Sequence, residues 1–70
     1  MADIEAHITG TIFQIAKQVG DPVKEGEEVI ILESMKMEIP LESPIDGTVT
    51  EIRVKEGEPV DEGAVVAVIE

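Results

Sequence analysis

The sequence predicts an all-β fold, a small flattened antiparallel β-barrel or sandwich. Three observations lead there. Apolar residues fall in short strand-like runs separated by turns rich in glycine and proline, and no helical period of useful length appears. Residues 10–33 align without a gap on residues 47–70, a shift of 37 positions with ten identities among 24 pairs, so one backbone path should occur twice. Finally, the chain has 70 residues, no cysteine and one histidine. A chain this short with neither disulfides nor a zinc site needs a regular, closed fold to stay folded.

Taken in order, Ile4, Ala6 and Ile8 alternate with Glu5 and His7, which predicts a strand buried on one side. Ile12-Phe13-Gln14-Ile15 and its copy Val49-Thr50-Glu51-Ile52 are rich in β-formers. In each, the repeated apolar positions are three apart. Strict alternation cannot place both on one face, so a bend, a bulge or a strand buried on both sides is expected. Gly20-Asp21-Pro22-Val23-Lys24-Glu25-Gly26 and Gly57-Glu58-Pro59-Val60-Asp61-Glu62-Gly63 are loops bounded by glycine. The proline of each fixes φ, and its valine can reach the core. Residues 29–32 and 64–69 are continuously apolar, as central strands are. Residues 37–42 form another strand, in which Pro40 argues for an edge or an amide pointing out of the ladder. Pro44-Ile45-Asp46-Gly47 turns the chain into its second half. The sum is about six main strands and two short ones in one domain, residues 1–70. Each half is too small to bury its own apolar face, so the halves should pack as a pseudo-two-fold pair. The core must be aliphatic, because Phe13 is the only aromatic residue.

Charge narrows the functions. Five basic residues stand against 16 acidic ones, a net charge of −11. A phosphate backbone would be repelled, which excludes nucleic acid as a partner. The acid excess is a solvated surface that also steers the domain toward basic partner surfaces. No apolar stretch approaches the roughly 20 residues needed to cross a bilayer, so no membrane insertion is expected. The N-terminus lacks the basic start and apolar run of a signal peptide, and the absence of cysteine fits a reducing, cytoplasmic setting. Catalysis is not expected either. The one histidine, His7, lies on the polar side of its strand, and neither Ser34 nor Ser43 has a sequence partner to activate it. The acids of residues 21–28 do not match the spacing of a calcium loop, so they are read as surface charges and no metal is expected.

One stretch stands out, Glu33-Ser34-Met35-Lys36-Met37-Glu38, where the first half hands over to the second. Outward from Met35-Lys36 the flanks mirror each other: Ser34 faces Met37, Glu33 faces Glu38, Leu32 faces Ile39 and Ile30 faces Leu41. That pattern is a hairpin closed by a two-residue turn, whose favoured twist needs positive φ at both central residues and so prefers Asn-Gly. Met-Lys is a poor choice for stability, which singles out Lys36 as the functional group. Lys17, Lys24 and Lys55, by contrast, read as solvated charges. Core filling is the ordinary use of methionine, but Met35 and Met37 cannot both be deep inside at a hairpin tip. Two soft thioethers beside a lysine suit docking into another protein's pocket.

These residues resemble the modification site of biotinyl domains in the biotin/lipoyl attachment family, whose usual signature is Glu-Ala-Met-Lys-Met. The resemblance runs from about Ile4 to Glu70 and takes in both Gly-(Asp/Glu)-Pro-Val loops. It implies two four-stranded antiparallel sheets related by a pseudo-two-fold axis, with the lysine on a hairpin opposite the termini. It also implies biotin joined by an amide to Nζ of Lys36 by a biotin protein ligase. Glu33, Ser34, Met35, Met37 and Glu38 would then serve ligase and partner recognition. The domain would be a non-catalytic carrier that takes a carboxyl group from a biotin carboxylase site to a carboxyltransferase site. Two departures stand against the family pattern. Ser34 replaces the common Ala, and Ala6-His7-Ile8-Thr9-Gly10 stands where many members show Ala-Pro-Met-Pro-Gly. The loop of residues 20–26 has no room for the protruding thumb of some acetyl-CoA carboxylase carriers, so the form is closer to the thumbless domains of pyruvate carboxylase, decarboxylases and short standalone attachment proteins. Two alternatives remain: a lipoyl carrier, or dual acceptor, whose usual site has an Asp before the lysine that is missing here, and an unmodified barrel-type binding module.

Overall fold

The computed structural model describes all residues from Met1 to Glu70. Eight strands run in chain order: β1 (Ala2–Glu5), β2 (Gly10–Ile15), β3 (Pro22–Val23), β4 (Glu28–Ser34), β5 (Met37–Glu42), β6 (Gly47–Ile52), β7 (Pro59–Val60) and β8 (Val65–Ile69). They form two four-stranded sheets in the orders β1-β8-β6-β3 and β5-β4-β2-β7, with every pair antiparallel. The two orders are one order. Advancing by 37 positions carries β2, β3 and β4 onto β6, β7 and β8, and β1 onto β5. Each sheet draws two strands from each half of the chain, so the halves interleave and neither half contains a complete sheet.

The loop hydrogen bonds repeat with the same offset. Gly20 N donates to the Val49 carbonyl at 2.8 Å, and Gly57 N to the Ile12 carbonyl at 2.7 Å. Ala6 N donates to the Ala64 carbonyl and Ser43 N to the Glu27 carbonyl, both at 2.9 Å. Gly26 and Gly63 close the two Pro-Val loops at φ of 86° and 89°, a region in which a side chain would be strained. Val23 and Val60 from these loops are buried, as the pattern required.

The core between the sheets is wholly aliphatic, with Ile12, Val29, Ile30, Leu32, Val49 and Val66 fully enclosed. The three-residue apolar spacing is resolved by bulges. Register slips between Ile12 and Gln14, and again between Val49 and Glu51. The extra residue lets Ile12 and Val49 point inward while Phe13 turns out, 48% exposed. Pro40 lies on β5, an edge strand whose outer amides carry no ladder. One expectation fails. β1 ends at Glu5, its register breaks between Ile4 and Glu5, and Ile8 lies outside the strand and exposed. Ile4 and Ala6 are buried as alternation demands, but the backbone bonds of Ala6 to Ala64 and Gly63 take the chain off the sheet before Ile8.

Candidate functional site

The hairpin β4–β5 pairs Ser34 with Met37, Glu33 with Glu38, Leu32 with Ile39 and Ile30 with Leu41. This is the register that the mirrored flanks prescribe. Its strands are long enough to be anchored: Leu32 and Leu41 are fully buried and Ile39 packs against the core. The tip is Met35-Lys36. Met35 has φ 52° and Lys36 φ 64°, and no other residue apart from glycine has positive φ. Both turn residues are therefore in the left-handed region, as a type I′ turn requires. The strand twist demands this geometry, and the side chains oppose it at a cost of about 1–2 kcal/mol per residue.

Around that turn the structure separates the residues singled out from the sequence. Met35 is 87% and Met37 60% exposed, and Lys36 is exposed between them. The chain's two ion pairs join Lys17 to Glu27 and Arg53 to Glu51, so Lys36 takes part in neither. Glu33 and Glu38 stand directly opposite each other on the outer face of the sheet, both exposed. Ser34 behaves differently from the others. It is buried, and its hydroxyl donates to the Thr9 carbonyl oxygen at 3.0 Å. The inward side of β4 carries its side chain under the turn, toward Thr9.

Two residues that support the turn were not among the sequence candidates. Gly10 packs under the hairpin: a Cβ on it would meet the Glu33 carbonyl oxygen at 2.5 Å and the Ser34 Cβ at 3.2 Å. The recurrence of Gly10 as Gly47 carried that signal, since Gly47 meets Glu70 in the same way. Thr9 carried no signal, because its bond to Ser34 joins residues 25 apart.

Comparison with known proteins agrees with this geometry. The family model described as "Biotin-requiring enzyme", for the biotin/lipoyl family, matches residues 1–69. The chain belongs to the biotin/lipoyl attachment family. Within it, this biotin/lipoyl domain is 41% identical over 39 residues to a biotinylated protein TB7.3 homolog of Mycolicibacterium smegmatis, covering 56% of this chain and 55% of that one. It is 42% identical over 38 residues to the biotin/lipoyl attachment protein of Bacillus subtilis, covering 54% and 52%. The match thus spans about half the length of these relatives. Among solved structures, the domain superposes on part of the urea carboxylase of Kluyveromyces lactis with a TM-score of 0.95 and 36% identity, covering 99% of this chain and 6% of that one. It also superposes on part of a single-chain, multi-domain long-chain acyl-CoA carboxylase with a TM-score of 0.87 and 26% identity, covering 94% and 6%.

Proposed function

We propose that Lys36 is the attachment point of biotin and that the domain carries carboxyl groups between two active sites. The observation that carries this reading is the turn itself. Two side chains are held at left-handed φ where Asn-Gly would sit without strain, and the second of them is an exposed lysine outside every ion pair. A primary amine so presented is the donor that an amide link to a carboxylic acid cofactor needs. When bound, biotin supplies a ureido ring that accepts and releases a carboxyl group.

The chain's own residues present and deliver. The buried flanks Leu32 and Leu41 fix the hairpin, and the turn sets where Nζ points. Met35 and Met37 offer soft apolar contact on either side of the amine, and Glu33 with Glu38 offers charge to a basic partner surface. Neutralising and using the amine is the work of a biotin protein ligase. The structural similarity to parts of a urea carboxylase and an acyl-CoA carboxylase favours a biotin carboxylase and a carboxyltransferase as the two stations. Lysine plus biotin makes an arm of about 10–15 Å, counted in bonds of ordinary length. Across wider gaps the whole domain travels.

Co-expression with a biotin protein ligase, read by intact mass and streptavidin, tests the assignment. One biotinyl group is expected on the wild type and on Lys24→Arg, and none on Lys36→Arg. A lipoyl group alone on Lys36 would replace biotin by lipoate. No adduct of either kind on Lys36 would leave an unmodified binding module.

A further inference from the structure

Residues 6–10 touch both the hairpin and the second Pro-Val loop. Thr9 is where they meet. Its carbonyl oxygen accepts from Ser34 Oγ at 3.0 Å, and its own Oγ1 accepts from Glu62 N at 3.2 Å. Ala6 binds the same loop on both sides, donating to the Ala64 carbonyl and accepting from Gly63 N, each at 2.9 Å. Gly10 then enters β2 in contact with the Glu33 carbonyl and Ser34 Cβ.

The pseudo-two-fold supplies an internal control. The counterpart of Thr9 is Asp46, whose Oδ1 accepts from Glu25 N at 2.7 Å, just as Thr9 accepts from Glu62. Capping a Pro-Val loop from residue 9 or 46 is therefore part of the repeat. The Thr9 carbonyl in addition accepts from Ser34 Oγ, a bond that comes from the base of the Lys36 hairpin itself. Thr9 thus joins the loop cap to the Lys36 hairpin, whereas Asp46 caps the Pro-Val loop of the first repeat.

We infer that Thr9 is a positioning residue for Lys36: through Ser34 on one side and Glu62 on the other, it holds the strained turn in the orientation that the modifying enzyme receives. This rests on the carrier reading above. A turn whose residues oppose its geometry has neighbouring conformations close in energy, and a tie at its base reduces their share. If the enzyme binds only the held orientation, loosening the tie raises the apparent KM in inverse proportion to the fraction still held and leaves kcat unchanged. One neutral hydrogen bond corresponds to about a two- to tenfold change in such an equilibrium.

The test is steady-state biotinylation of the purified domain by a biotin protein ligase, together with amide hydrogen exchange at residues 34–37. Ser34→Ala and Thr9→Val are expected to raise KM about two- to tenfold with kcat unchanged, and to speed exchange at the turn. Thr9→Ser, which keeps the hydroxyl, restores wild-type KM. Asp46→Ala removes the equivalent cap from the first repeat and leaves KM unchanged while lowering Tm. The inference is overturned if Ser34→Ala and Thr9→Val keep the wild-type KM, or if Asp46→Ala raises it equally. Were the wild type to accept no biotin, the carrier reading would fail by itself. Exchange at residues 34–37 in Ser34→Ala against Asp46→Ala would still decide whether the tie holds the turn.

Discussion

Gly10 lies directly beneath the carbonyl of Glu33, so close that a methyl group on it would stand 2.5 Å from the oxygen. Gly47 holds the same place beneath Glu70. The fold thus makes one contact twice, once under the lysine hairpin and once where the chain ends.

The duplication makes the contact a graded test. Gly10→Ala and Gly47→Ala each force two backbones apart and are expected to cost about 1–3 kcal/mol, as overpacking does. In a domain of this size that lowers Tm by about 4–8 °C per kcal/mol. Only Gly10→Ala displaces the base of the hairpin. Biotinylation of the folded fraction should fall for Gly10→Ala and hold for Gly47→Ala, measured by labelling rate below both melting points.

The turn makes a prediction in the opposite direction. Met35 and Lys36 occupy left-handed conformations that Asn and Gly tolerate better. Met35→Asn should therefore raise stability, by about 0.5–1 kcal/mol, while removing a thioether from the side of the amine. Thermal unfolding should improve as labelling by the ligase slows. Faster labelling would show that Met35 has no part in docking.

Much of this architecture was legible because it rests on short-range rules. A two-residue turn fixes register, so the pairs from Ser34–Met37 to Ile30–Leu41 could be read from mirrored flanks. A three-residue apolar spacing in a strand demands an extra residue, and the bulges at Phe13 and Thr50 supply it. The equivalence of β1 and β5 was not legible. Over the stretch that pairs Ile4 with Leu41 and Ala6 with Ser43, the repeat asks only for small or apolar residues at alternate positions. Such a demand leaves almost no identity behind. The inward turn of Ser34 was hidden for a related reason. A serine at a hairpin base looks like a solvated turn residue until its distant acceptor, Thr9, is placed.

The repeat also differs from itself where charge is concerned. Lys17 Nζ meets Glu27 Oε2 at 2.7 Å, whereas the second half has Val54 and Ala64 at those positions. The Lys17 hydrogen bond, and then the Lys24 amide donating to Oε1, hold the Glu27 carboxyl below the ordinary carboxylate value. The same carboxylate holds the Lys17 amine above its ordinary value. A lowered acid stabilises above its unfolded pKa and loses that contribution as pH falls through the folded one. A raised base stabilises below its unfolded pKa and loses it as pH rises through the folded one. The bridge should therefore act from mildly acidic to mildly basic pH and fade at both extremes. Acidification also relieves the repulsion within a chain of net charge −11, so the wild-type Tm alone is a poor gauge. The Tm difference between wild type and Glu27→Gln isolates the bridge. It should be largest near neutrality and shrink below about pH 4, and a difference that does not vary with pH would remove the bridge from the account.

Glu33 and Glu38 face each other across the hairpin, and Glu28 faces Glu42 further down the same two strands. Like charges placed opposite each other in an antiparallel pair are destabilising, and an opposite-charge pair recovers about 0.2–1 kcal/mol. Reversing one partner should therefore stabilise the sheet at either place, so Glu38→Lys and Glu42→Lys should both raise Tm, most clearly at low salt. Their effects on modification should diverge. Glu38 lies two residues from Lys36, within reach of any enzyme that holds the amine, whereas Glu42 lies near the far end of β5. A basic docking surface would be steered by the first pair far more than by the second, since screening confines such effects to about 8–10 Å at ordinary ionic strength. Glu38→Lys is expected to lower kcat/KM for the ligase and flatten its dependence on salt, while Glu42→Lys keeps both. If the two variants label alike, the glutamate pair beside the lysine is only a surface charge that the fold tolerates.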